Sequence, residues 1–87
     1  MQRDAEFFGE AADLPLVYIA KRLKEALRLE EMLTQNGFDY LVEPDKYRGG
    51  IIFQTERVGA FFYVDPEKEG PVREFLRLHG FMPYEKT

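Results

Sequence analysis

The side chains able to do chemistry are few and scattered. There is one histidine, His79, with no Cys and no Ser, and the aliphatic hydroxyls are Thr34, Thr55 and Thr87. A nucleophile needs a base within reach and a third group to orient that base, and none of the threonines has a histidine near it in sequence. Without thiolates and with a single imidazole, no sulfur or histidine-rich metal centre can be assembled. "DPEKEG", residues 65–70, imitates the opening of a calcium loop, with carboxylates at alternate positions before a glycine. The bidentate carboxylate that closes such a loop belongs at its twelfth position, which is Leu76. Pro66 also interrupts it, so the stretch reads as an acidic helix start that complements the helix dipole. Adjacent acids such as Glu30-Glu31 point to different sides of a helix and form no acid–base couple. His79 falls in a helix's last turn, where a cation is favoured, and is expected to be structural. These residues predict no catalysis, no metal and no cofactor.

The other candidate is "YRGGIIFQTERVGAFFYV", residues 47–64. A phosphate loop places its glycines before a helix and carries Gly-Lys-Ser/Thr, whereas Arg48-Gly49-Gly50 precedes an apolar, β-branched run. Gly49-Gly50 is expected to supply positive φ in a hairpin turn, and Gly59, after Arg57-Val58, a second turn. Arg48 and Arg57 then sit on neighbouring turns as candidate anion contacts. An RNA-recognition sheet stacks bases on aromatics of its open face. "VYI", 17–19, fits the start of the shorter signature of such domains, and 57–64 approaches the longer one. Val58 stands where that signature has Gly, and Gly59 where it has an aromatic. Single-stranded nucleic-acid binding is therefore an alternative, opposed by a net charge of −4 because phosphate contacts dominate such affinity.

Eighty-seven residues make one domain, 45% hydrophobic and 32% charged, with eight Phe and five Tyr. Residues 1–13 have no clear period and read as an arm, acidic through Asp4, Glu6, Glu10 and Asp13 against Arg3, with Phe7 and Phe8 side by side. "LPLVYIA", 14–20, is apolar on both alternating sets, the mark of a central strand covered on both sides. Residues 21–37 follow as a helix whose Leu23, Ala26, Leu27, Leu29 and Leu33 make a broad stripe, stopped by Asn36-Gly37. Strands are expected at 38–43, ended by Pro44-Asp45, at 51–55 and at 60–64, with turns at 48–50 and 56–59. Asp65-Pro66 or Gly70-Pro71 opens a second helix that buries Val72, Phe75 and Leu76 and ends at His79-Gly80. "FMPYE", 81–85, reads as a last edge strand. The order predicts an α+β, ferredoxin-like βαββαβ sandwich over residues 14–87, with two helices on one face of an antiparallel sheet and an extra hairpin near 44–59.

"VYIAKRLKEALRLEEMLTQNGFDYLVE" and "FFYVDPEKEGPVREFLRLHGF" resemble the two halves of the DUF2007-type group of small bacterial signal-transducing domains. Glu25-Ala26, Leu29, Leu33 and Gly37 match that group's strand–helix–glycine–strand layout, and the likeness spans roughly residues 14–80. It implies a ferredoxin-like fold related in shape to the PII regulators, a regulatory role and no established reaction. The turns around 44–59 depart from the group's simplest pattern.

The doubled apolar pattern carries the functional expectation. If Val17, Ile19, Phe62 and Val64 face the helices, Leu16, Tyr18, Phe61 and Tyr63 form a patch on the far side, which monomers seldom leave open. A second copy of the chain, the Phe7-Phe8 arm or a ligand could cover it, and a homo-oligomer is the first expectation because closed two-fold pairing is the commonest solution. The domain is thus read as a non-catalytic regulatory or interaction module, in the cytoplasm and off the membrane. Leu16, Tyr18, Phe61 and Tyr63 are its working surface, a protein partner or a small ligand can occupy it, and a small-molecule sensor is a further alternative.

Overall fold

The computed structural model describes residues 1–9, 13–49 and 55–85. In chain order they form α1 (Ala5–Phe8), β1 (Leu16–Ala20), α2 (Leu23–Gln35), β2 (Leu41–Gly49), β3 (Thr55–Tyr63), a 3-10 turn (Pro66–Lys68) and α3 (Glu69–Leu78). The strands make one antiparallel sheet in the order β1-β3-β2. The protein is therefore of the α+β class.

β3, the run containing Phe61-Phe62, takes the centre, paired with β1 on one side and β2 on the other. β1 was expected there and instead forms an edge of the three-stranded sheet. The expected last strand, 81–85, is present only as an extended segment along that edge. Tyr84 N–H donates to Val17 O at 2.7 Å, and among the described residues no ladder follows. Pro83 lacks the N–H that continued pairing would need. Arg73 holds the segment in place, donating from Nη1 to Tyr84 O at 2.6 Å and from Nη2 to Leu16 O at 3.3 Å.

The second departure lies in the middle of the chain. β2 does not stop at Pro44-Asp45 but runs on to Gly49, paired with β3 at every step from Leu41↔Tyr63 to Gly49↔Thr55. Pro44 is tolerated because β2 is an edge strand and its missing N–H can face away from β3. The turn expected at 56–59 does not exist. Arg57, Val58 and Gly59 are ladder residues opposite Tyr47, Lys46 and Asp45. Positive φ occurs among the described glycines at Gly9, Gly37 and Gly80, not at Gly59. The turn expected at Arg48-Gly49-Gly50 runs into residues outside the described ones.

Both helices cover one face of the sheet. Ala26, Leu29 and Leu33 of α2 and Val72 and Leu76 of α3 bury against Val17, Ala20, Phe62 and Val64, with Tyr40 and Phe81 closing the cluster. Asn36 caps α2 and Gly37 follows at φ +77°, the left-handed stop read from the sequence. Asp65 accepts from Glu67 N–H at 3.0 Å ahead of Pro66, and Gly80 at φ +81° closes α3. The stripe of α2 is narrower than expected. At 100° per residue the buried trio Ala26, Leu29 and Leu33 is centred roughly 90° from Leu23 and 130° from Leu27. Those two leucines are 76% and 55% exposed.

The arm is ordered at its start. Tyr40 N–H donates to Met1 O at 3.1 Å and Arg3 N–H to Tyr40 O at 2.7 Å, a single parallel bridge beside the start of β2. Arg3 Nε lies 2.9 Å from Asp39 Oδ1, and the Met1 ammonium donates to Phe38 O. Asp4 caps α1, in which Phe7 and Phe8 meet edge to face at 5.1 Å, with the Arg3 guanidinium over the Phe7 ring.

Candidate interaction surface

Residues directly opposite in neighbouring strands share a face, so the register sorts the expected surface residues. Leu16 opposes Tyr63, and Ile19 opposes Phe61. Alternation along β3 puts Phe61 and Tyr63 on one side and Phe62 on the other. Leu16, Phe61 and Tyr63 thus lie together on the face away from the helices, as expected, joined by Leu41 and Glu43 of β2.

Tyr18 is not among them. The register shifts between Leu16 and Tyr18, so that Tyr18 opposes Phe62 and turns to the helix side. Such an irregularity breaks the strict alternation on which the expected face rested. A stretch apolar at every position, as 16–20 is, gives no pattern by which the slip could be read. Val17 keeps to the helix side and is 1% exposed, whereas Ile19 joins the far face. The Tyr18 ring meets Phe62 at 6.5 Å and Phe81 at 5.5 Å, both edge to face.

Burial pushes the Tyr18 phenol up to about 12, helped by a hydrogen bond to the Glu25 carboxylate and by that group's charge. The folded state therefore holds the phenolic proton more tightly than the unfolded chain does. Its contribution to stability is complete below pH 10 and is lost as pH rises from there towards 12. Ultraviolet phenolate titration should show the Tyr18 phenol ionising well above pH 10, with unfolding setting in across that window. In Tyr18→Phe the loss of stability over that window should shrink.

On the far face, Phe61 is only 8% exposed within a single chain, although it stands outside the main cluster. It is too deeply buried to be a contact residue. Tyr63 is half-buried and borders an open cleft of about 550 Å3 between the sheet and the N-terminal arm. Leu14, Leu41 and Tyr63 supply its apolar lining, and Glu6, Asp13 and Glu43 its charge. The Tyr63 phenol is raised by burial and then by the charges of Glu43 and Asp45. An aromatic ring set among carboxylates is a poor seat for a nucleic-acid base, whose phosphates those charges repel.

The two arginines are not placed as expected. Arg57 is exposed, within β3 rather than on a turn, on the side of the strand that carries Gly59 and Phe61. Arg48 is paired with Glu56 in the ladder, and its side chain lies outside the described residues. His79 caps α3, exposed, with its ring 4.4 Å from Phe75. Among the described residues no three His, Asp or Glu side chains converge to hold a metal ion, and no helix is long and apolar enough to cross a membrane. The acids and leucines lining the cleft were missed by sequence reasoning, because they come from the arm and β2 and meet only once the arm has docked. The spacing of Leu41 and Glu43, two apart on one strand, was the single legible part.

Comparison with known proteins finds no counterpart: no family model matches the chain, and neither a curated protein nor a solved structure does so at a significant level.

Proposed function

We propose that this chain is a small, non-catalytic regulatory and interaction domain of the cytoplasm that self-associates through the far face of its sheet. One observation carries the reading. Leu14, Leu41 and Tyr63 remain half-buried around an open cleft that Ala5, Glu6 and Gly9 of the arm border. Partly covered apolar surface of this kind is what a partner completes. The non-catalytic part is supported by an exposed, lone His79 whose ring lies tilted against Phe75 and by the lack of any Cys or Ser. The absence of Cys also fits a reducing compartment.

A ferredoxin-like topology accounts for the rest of the frame. The segment at Tyr84 lies beside β1, where the fourth strand of that fold would pair, with β1, β3 and β2 following in its order. The likeness of residues 14–80 to the DUF2007-type domains supports a regulatory role. Light scattering tests the reading. The wild-type chain should exceed the monomer mass of 10.2 kDa, and Tyr63→Gln should return it towards that mass without losing its thermal transition. A wild-type chain that stays monomeric at every concentration overturns the proposal.

A further inference from the structure

We infer that the occupant of the far-face cleft is the outward ridge of α2 from a second copy of the chain, docked head to tail. The inference rests on the far-face reading above and names the surface that meets it. Leu23 and Leu27 stand one turn apart on α2 and are 76% and 55% exposed, an apolar ridge left open by the described residues. Arg22, Lys24 and Arg28 make its N-terminal end basic, while Glu30 and Glu31 follow Leu27 one turn further on. The cleft is the counterpart of that basic end, a concave strip of Leu14, Leu41 and Tyr63 set among Glu6, Asp13 and Glu43.

Pairing two clefts about a two-fold axis would bring those three carboxylates against their own copies, and like charges in an interface are strongly disfavoured. Ridge against cleft sets bases on acids and leucines on leucines. The ridge lies on the helix side of the sheet and the cleft on the other, so a contact between two molecules uses one of each and leaves one of each free. Such heterologous contacts build rings or open chains rather than closed pairs.

Two double variants test this, each changing only exposed positions so that the fold survives, as thermal melts will verify. The ridge variant is Leu23→Glu with Lys24→Glu, and the cleft variant is Asp13→Lys with Glu43→Lys. In sedimentation velocity each alone should associate at least about tenfold more weakly than wild type. Mixed, they should form a one-to-one complex, because one retains an intact cleft and the other an intact ridge, and added salt should weaken that complex. If the ridge variant associates like wild type while the cleft variant does not, the far face is used but α2 does not fill it, and the inference falls alone. If wild type associates and the mixture stays monomeric, ridge–cleft pairing is likewise overturned. If wild type itself is monomeric, the underlying reading falls with it.

Discussion

Tyr18→Glu is expected to abolish the cooperative thermal transition rather than to produce a folded monomer. The new carboxylate would sit against Phe62 and Phe81, rings now 6.5 and 5.5 Å from the Tyr18 ring, and beside the Glu25 carboxylate. Three losses coincide there: apolar burial, two edge-to-face contacts of about 0.5–1.5 kcal/mol each, and the repulsion and desolvation of an unpaired charge. Together these are of order several kcal/mol. A chain of this size has a total stability of about 4–13 kcal/mol, on the scale of about 0.05–0.15 kcal/mol per residue. Circular dichroism on heating should show no sigmoidal transition for Tyr18→Glu, with Tyr63→Gln retaining one. A Tyr18→Glu protein that melts like wild type would return Tyr18 to the far face and contradict the register.

Phe62→Ala should be the most damaging truncation in the chain. Phe62 is fully buried on the central strand, with Tyr18 and Val42 opposite it on the two neighbours and the Tyr40 ring 5.8 Å away. It belongs to the cluster that both helices and the sheet build, so its truncation opens a void inside the core. Aromatic truncations at such sites cost about 3–5 kcal/mol, a large share of the stability available here. Its sequence neighbour Phe61 is also buried but stands apart from the main cluster, and Phe61→Ala should cost measurably less. Chemical denaturation of the two variants settles the order through their midpoints, and equal losses would mean that the two faces of β3 are equally load-sharing.

The parts of the fold legible in the sequence are those governed by local chemistry. Asn36-Gly37, Asp65-Pro66 and His79-Gly80 punctuate the helices because a left-handed glycine or a capping carboxylate acts within a few residues. The apolar run at 60–64 likewise predicted a strand, whereas the central place expected of 14–20 falls to β3. Gly59 misled because glycine suits a turn and also a β position where a side chain is not needed; only pairing with Asp45 distinguishes the two. Pro44 misled for the same reason, since whether a proline ends a strand or sits on its free edge depends on where that strand falls in the sheet. Leu23 and Leu27 fit the helical stripe by type, but the stripe's centre is fixed by what α2 packs against. Tyr18 is the costliest of these. Its side of the sheet is set by a one-residue irregularity that needs both strands to be seen, and its stabilising partners, Glu25 and Phe81, lie on elements that follow it in the chain.

The cleft was hidden for a related reason. Residues 1–13 show no period because α1 is a single turn capped by Asp4, and the arm owes its position to Asp39 and Tyr40. Only with the arm in place do Glu6 and Asp13 come round to Glu43 and Tyr63.

The division of the tyrosines between the two faces is the claim on which the working surface depends, and dilution followed by nuclear magnetic resonance tests it most directly. With the aromatic rings and leucine methyls labelled, signals of Tyr63 and Leu41 should shift or broaden as concentration rises, while those of Tyr18 and Phe62 hold still. Concentration-dependent change at Tyr18 with none at Tyr63 would contradict the account.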